Sequence, residues 1–206
     1  MSLIYQLGYT IPFFILLIRV YVKEFGEKKG LILWIFHFIY TILWGKFAYM
    51  MFHHNYDFSL ILKPCCMVSV GVIFGAYSYF AILALLFKRN PIPWWNELSL
   101  LAPLGIILIR IGNILNEEAH GIINYATLDI LGAIIMTTLF YLFPKLRKNA
   151  TLFAFVFYSF WKLFVSDLTR VKFLTSPLYF YFVPLGIAAL GTYVFFYRLV
   201  KKGILK

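Results

Sequence analysis

The residues from 110 to 118 include side chains that could bind and orient an anion. Arg110, Asn113 and Glu117 follow one another at three and seven residues, so on a helix they share one face, and Gly112 allows the close approach of another helix or a lipid headgroup. A guanidinium is a planar fork of donors that matches phosphate oxygens, and a nearby carboxylate can orient it or accept a proton. The spacing favours a phosphate site, and it leaves open an arginine that merely extends to a membrane surface beside a polar helix cap.

Further ionisable side chains interrupt apolar stretches, where a charge at membrane depth costs about 3 kcal/mol. Lys46 is a candidate second phosphate contact, with extension to the membrane surface as the alternative. Asp129 and Lys162 could pair across neighbouring helices, and Asp167 could pair with Arg170 on its own last turn. Each pair is as consistent with structural support as with chemistry.

The elements that must position these residues are membrane helices, because 63% of the residues are hydrophobic, 21% aromatic and only 13% charged. Soluble domains are about 45–50% apolar, so this composition excludes a water-soluble fold. About 20 apolar residues cross a bilayer, and seven stretches meet that requirement. We therefore predict one all-α, polytopic transmembrane domain over residues 1–206. Its predicted spans are residues 3–22, 31–52, 65–87, 98–115, 123–143, 150–168 and 178–199.

The net charge of +11 is concentrated in alternate loops between these spans and in the tail after the last one. Such a bias places the Lys- and Arg-rich loops in the cytoplasm, which predicts an external N-terminus and a cytoplasmic C-terminus, and it argues against a nucleic-acid partner. The adjacent Cys65 and Cys66 lack the spacing of a metal or redox site, so neither a metal nor a cofactor is expected. The Pro-Ile-Pro step at residues 91–93 predicts a short loop before the fourth span.

Residues 102–104, Ala-Pro-Leu, and the run at residues 110–121 resemble the signature of the prolipoprotein diacylglyceryl transferase family. The resemblance implies a seven-helix enzyme of the bacterial cytoplasmic membrane with its N-terminus outside. It also implies transfer of a diacylglyceryl group from phosphatidylglycerol, or a related anionic phospholipid, to the lipobox cysteine of a lipoprotein precursor. The residues that match the signature are Arg110, Gly112, Asn113, Asn116, Glu118 and Gly121.

Outside this run the resemblance is weaker. Residues 44–49, Trp-Gly-Lys-Phe-Ala-Tyr, are similar to the family's Gly-Arg-x-Gly-Tyr, and Asp129 falls where the family has an acid. Val70 stands where the family's third helix has a catalytic histidine, and Lys162 replaces an arginine of the sixth helix.

The resemblance implies that Arg110, helped by Lys46 or Lys162, binds the departing phosphate. The base for the thiol proton would be His120, Glu118 or Asp129, in that order. The remaining expected contacts to the phospholipid are Asn113, Asn116, Gly112 and Gly121. Two other hypotheses stay open at this point, a non-catalytic protein that binds lipid or lipoprotein, and a small membrane transporter.

Overall fold

The computed structural model describes residues 3–54, 56–61, 69–116, 125–161, 165 and 178–206, and all regular secondary structure within them is helical. This confirms the all-α fold class. The elements in chain order are α1 (Leu3–Leu16), a π-helical segment (Leu17–Val22), α2 (Lys23–Phe25), α3 (Glu27–His53), a 3₁₀ turn (Phe58–Ile61), α4 (Ser69–Phe87), α5 (Ile92–Leu115), α6 (Tyr125–Leu142), α7 (Pro144–Lys148), α8 (Ala150–Trp161) and α9 (Leu178–Lys201).

Three of the described helices are long and apolar enough to cross a membrane: Glu27–Met51 within α3, α5 and α6. Seven spans and the orientation of the chain stay predictions. One boundary was predicted wrongly, because α5 begins at Ile92 and takes in Pro93, where the sequence indicated a loop. Proline is tolerated in the first turn of a helix, since the N–H groups there have no partner within the helix.

One side of α3 carries a stripe of large exposed apolar side chains. Leu31, Ile35, Ile39, Leu43 and Phe47 recur every four residues and are each between 43% and 48% exposed. Residues at this spacing form one stripe along a helix. A continuous stripe of large exposed apolar side chains is rare in water and is the normal outer surface of a membrane helix.

The chain divides into two compact units. The first unit comprises Met1–Leu16 and Trp95–Val194, and the second comprises Leu17–Trp94 and Phe195–Lys206. The predicted single domain over residues 1–206 stays a prediction.

In the second unit, α3 and α4 approach closely along two glycines of α4. A Cβ at Gly75 would lie 2.9 Å from the Cα of Thr41, and a Cβ at Gly71 would collide with the Trp44 carbonyl and with Ala48. Two glycines four residues apart are a common device for bringing membrane helices together. The close packing of α3 against α4 therefore accounts for a glycine at position 71.

In the first unit, α1 packs against α5 in the same manner. A Cβ at Gly8 would lie 2.9 Å from the backbone nitrogen of Ile109, and a Cβ at Gly105 would lie 3.2 Å from the Gly8 carbonyl oxygen. Since Ile109 precedes Arg110, this contact fixes the part of α5 that carries the arginine.

The start of α8 is also fixed by α5. The Asn96 side-chain oxygen accepts hydrogen bonds from the backbone N–H and the hydroxyl of Thr151, at 3.0 and 2.9 Å, and its amide donates to the Lys148 carbonyl at 2.7 Å. The first N–H groups of a helix need partners from outside it. Here a neighbouring helix supplies one, which sets the position of α8 relative to α5.

Candidate functional site

Arg110 lies in the last two turns of α5, where side chains of three helices surround its guanidinium. Its Nε donates to Asp129 Oδ2 on α6 at 2.7 Å, and its Nη1 donates to Asn113 Oδ1 at 2.9 Å. The guanidinium carbon lies 5.4 Å from the centre of the Tyr125 ring, and the Tyr158 hydroxyl on α8 accepts a further hydrogen bond. These five residues are called the arginine centre below.

Burial makes the ion pair of this centre important for stability. The Arg110 side chain is 13% exposed and the Asp129 side chain is fully buried. Removal of one partner from a buried pair leaves an uncompensated charge and costs about 3–5 kcal/mol. Asp129 therefore has a clear role in holding the charge and the orientation of Arg110.

The two tyrosines support the cation without cancelling its charge. A guanidinium within about 6 Å of an aromatic ring centre is attracted by the negative face of the ring. A hydroxyl that accepts from the guanidinium orients it in the same neutral way. The tyrosines therefore orient the guanidinium and leave Asp129 as the group that compensates its charge within the described part of the chain.

Trp161 holds the backbone beside Asp129. Its Nε1 donates to the Leu128 carbonyl at 2.9 Å, and its ring lies over Gly132, where a Cβ would come within 2.5 Å of the same nitrogen. Tyr158 and Trp161 are three residues apart on α8, so they lie on the same side of that helix. One helix thus contacts both members of the ion pair, Arg110 directly and Asp129 through the Leu128 backbone.

A guanidinium has five N–H donors in one plane. Asp129, Asn113 and Tyr158 account for three of them within the described part of the chain. The Arg110 side chain also keeps 13% of its surface exposed, and an incoming phosphate or carboxylate oxygen needs such access to the guanidinium. A preorganised cation of this kind can bind an anionic headgroup and stabilise charge on a departing phosphate.

The predicted site residues are distributed as follows. Arg110 and Asn113 share one face of α5, as their spacing predicts, and Gly112 is buried beside them. Asn116 forms the turn after α5, where its N–H donates to the Gly112 carbonyl at 3.0 Å. Lys46 is buried on α3 and belongs to the second unit, so its role as a phosphate contact stays a prediction. The predicted residues that lie outside the described part of the chain are Glu117, Glu118, His120, Gly121, Lys162 and Asp167.

Asp129 has a partner that the sequence does not predict, because its Oδ2 bonds Arg110 Nε. The predicted pairing of Asp129 with Lys162 stays a prediction, since Lys162 lies outside the described residues. Tyr125, Tyr158 and Trp161 were not predicted at all. Tyrosine and tryptophan near the ends of apolar segments are expected as membrane-interface residues, so their type carried no signal for a polar site.

A second buried polar centre was also missed. His37 on α3 is fully buried, with its Nε2 3.0 Å from the Ala76 carbonyl and its Nδ1 2.6 Å from the Tyr21 hydroxyl. A carbonyl only accepts, so Nε2 donates to it. Full burial disfavours a charged ring, and in the neutral ring Nδ1 accepts from the Tyr21 hydroxyl. The Tyr79 ring stacks on the imidazole at 4.6 Å. We call these four residues the histidine centre, and their saturated hydrogen bonds suit a structural role.

The described residues contain no group of three or more His, Cys, Asp or Glu side chains that could hold a metal ion. No protein-family model, no curated protein and no solved structure matches the chain.

Proposed function

We propose that this protein transfers a diacylglyceryl group from phosphatidylglycerol, or a related anionic phospholipid, to the lipobox cysteine of a lipoprotein precursor. The observation that supports this proposal most directly is the arginine centre, a cation in a membrane-length apolar helix that Asp129 and Asn113 hold in one orientation. The similarity of residues 110–121 to the transferase signature connects that cation with a phospholipid substrate.

In the proposed reaction the cysteine thiolate attacks the carbon of the diacylglyceryl group that is bonded to the phosphate oxygen. A carbon–sulfur bond forms, the carbon–oxygen bond to phosphate breaks, and glycerol phosphate leaves with the electron pair. Arg110 binds the phosphate in the ground state and stabilises the added charge as it departs. The thiol proton must be removed first, because the thiolate is the nucleophile.

Asp129 acts in this scheme as a positioning residue for Arg110, which assigns the base to His120 or Glu118. Asn113, Asn116, Gly112 and Gly121 bind the headgroup. Lys46 or Lys162 is the second phosphate contact. The chain crosses the bacterial cytoplasmic membrane seven times with its N-terminus outside, so the end of α5 meets phospholipids of the outer leaflet.

A second function is favoured by one specific observation. Asp129, at the position of the family's acid, is bonded to Arg110, and Val70 occupies the position of the family's histidine. A protein that retains the phosphate site without a proton acceptor would bind anionic lipid or lipoprotein and never consume it. This non-catalytic function is the alternative to transfer.

The test uses the purified full chain in vesicles that contain phosphatidylglycerol, with a lipobox peptide as acceptor. We expect thioether formation on the peptide and stoichiometric release of glycerol phosphate, both abolished in Arg110→Ala and Glu118→Gln. Lys145→Gln on α7 is the matched control and should retain activity. Full activity in both Arg110→Ala and Glu118→Gln would refute the site. Retained phosphatidylglycerol with no glycerol phosphate release would instead establish the non-catalytic function.

A further inference from the structure

The end of the chain is joined to the turn after α4 by two backbone hydrogen bonds in the second unit. The Lys206 N–H donates to the Lys88 carbonyl at 3.1 Å, and the Asn90 N–H donates to the Lys206 carbonyl at 2.8 Å. Leu205 is buried, which anchors the segment that carries Lys206. These bonds flank Arg89 on both sides and hold three cationic residues together. We call Lys88, Arg89 and Lys206 the basic clasp.

The backbone of this clasp contains an unfavourable conformation. Lys88 has a φ of 52°, in the left-handed region that a residue with a Cβ enters at a cost and that glycine normally fills at the end of a helix. A lysine at this position therefore carries backbone strain that glycine would avoid, and its side chain is exposed. Backbone strain at an exposed lysine indicates that the positive charge of its side chain has a function.

Within the described residues, one of the three cationic side chains of the clasp has an ion-pair partner, because Arg89 donates to the Glu24 carboxylate at 2.7 Å. Lys88 and Lys206 are exposed. Two further exposed lysines precede Lys206 in sequence, Lys201 at the last position of α9 and Lys202 in the turn after it. Like charges held together by the backbone repel one another, and an anion between them relieves that repulsion.

The surroundings of the clasp are those of a lipid headgroup layer. Leu85, Leu86 and Ile204, which lie next to it in sequence, are 55%, 70% and 55% exposed, as expected for side chains that contact acyl chains. The Lys29 ammonium lies 4.3 Å from the centre of the Phe87 ring, and the Arg89 guanidinium lies 5.6 Å from the centre of the Phe25 ring. Cations over aromatic rings beside exposed aliphatic residues are typical of the boundary between headgroups and acyl chains.

We propose that the basic clasp binds the phosphate of an anionic phospholipid headgroup, at a site separate from the arginine centre and independent of the transfer proposed above. The left-handed lysine, the clustered cations and the exposed leucines around them together distinguish this surface from an ordinary basic loop.

The test is photocross-linking of the full chain in vesicles, with a phosphatidylglycerol that carries the reactive group on its headgroup, followed by peptide mapping. We expect cross-links in residues 85–90 and 201–206. The variant Lys88→Gln/Lys206→Gln should reduce affinity at these peptides about 25-fold, at about fivefold for each lysine near a membrane surface. The matched control Lys145→Gln/Lys148→Gln removes the same charge from α7. It should change the affinity at residues 85–90 and 201–206 less than twofold. An equal loss in both variants would overturn the proposal, because general surface charge would then explain the binding.

Lys88→Gly keeps the proposal testable if the double variant does not fold. Glycine suits the left-handed conformation, so this variant should melt at a higher temperature and still bind more weakly, by about fivefold. Unchanged cross-linking in Lys88→Gly would contradict a role for the lysine. Competitors separate the possible ligands: unlabelled phosphatidylglycerol should suppress the cross-links, whereas inorganic phosphate at the same concentration should not. Equal suppression by inorganic phosphate would assign the clasp to a soluble phosphate and refute the lipid.

Discussion

The arginine centre and the histidine centre are both buried polar sites in apolar helices. They differ in their charge and in how far their central side chain is exposed. In the arginine centre a cation and an anion pair at 2.7 Å, and the guanidinium keeps 13% of its side chain exposed. In the histidine centre a neutral ring is fully buried and both of its nitrogens are hydrogen-bonded. The first therefore remains partly accessible to a ligand, whereas the second uses its hydrogen bonds to join helices.

This difference indicates which of the two centres can carry a function beyond stability. A buried ion pair is often no more stabilising than apolar residues of similar volume, so the arginine centre is the better candidate for a function beyond stability. A neutral centre whose ring nitrogens are both hydrogen-bonded contributes to stability through its packing and its hydrogen bonds, and it requires no ligand. The proposed lipid transfer takes place at the arginine centre. Amino-acid substitutions in and around the two centres test that assignment.

The largest effect is expected for Asp129→Leu. This change leaves the Arg110 charge buried without its carboxylate, which should lower the free energy of unfolding by about 3–5 kcal/mol. The double variant Arg110→Met/Asp129→Leu should recover most of that loss, because replacement of both charges removes the desolvation cost. Thermal unfolding in detergent measures both, and the double variant should remain inactive in lipid transfer. A double variant no more stable than Asp129→Leu would show that the pair is not the source of the cost.

His37→Ala is expected to destabilise the protein almost as much, by about 3–4 kcal/mol, since it removes two hydrogen bonds and leaves a cavity beside Tyr79. Lipid transfer by the fraction that remains folded should be unchanged when normalised to folded protein. Loss of transfer in that fraction would move the function to the histidine centre and reverse the comparison.

A matched pair of glycine substitutions separates the two units. Gly8→Val and Gly75→Val should each cost about 1–3 kcal/mol, because both force apart helices that are in close contact. The first displaces Ile109 beside Arg110, so lipid transfer should also fall, whereas the second should leave transfer intact. Unfolding curves and initial rates, measured on the same preparations, distinguish the outcomes. Equal losses of transfer would argue against a local role for α1.

The smallest effect is expected for Trp161→Phe, which keeps the ring over Gly132 and removes the bond to the Leu128 carbonyl. Stability should fall by about 1 kcal/mol. Because Asp129 follows Leu128, the initial rate of transfer should fall at saturating lipid, with the apparent lipid affinity little changed. Tyr193→Phe is a control that alters another aromatic residue of the same unit and should change neither quantity. A loss of affinity without a loss of rate would place Trp161 in direct contact with lipid.

Most helix positions follow from the sequence, because the length and apolar character of a membrane helix are local properties. The predicted span at residues 123–143 and α6 at Tyr125–Leu142 nearly coincide. The predicted start of α5 at residue 98 was too late, since Pro91 and Pro93 indicated a loop and the first turn of a helix accepts proline. Boundaries next to prolines are where local rules conflict.

The sequence by itself determined the all-α class and the location of Arg110 and Asn113 on one helix face, since both depend on periodicity within a single segment. Three features follow only from the tertiary structure. Arg110 pairs with Asp129, Tyr158 and Trp161 support this pair, and both ring nitrogens of His37 are hydrogen-bonded. Partners on different helices depend on the rotation and depth of each helix, which local periodicity does not set. A neutral histidine carries no cost of buried charge, so nothing in the sequence distinguished His37 until its neighbours were known.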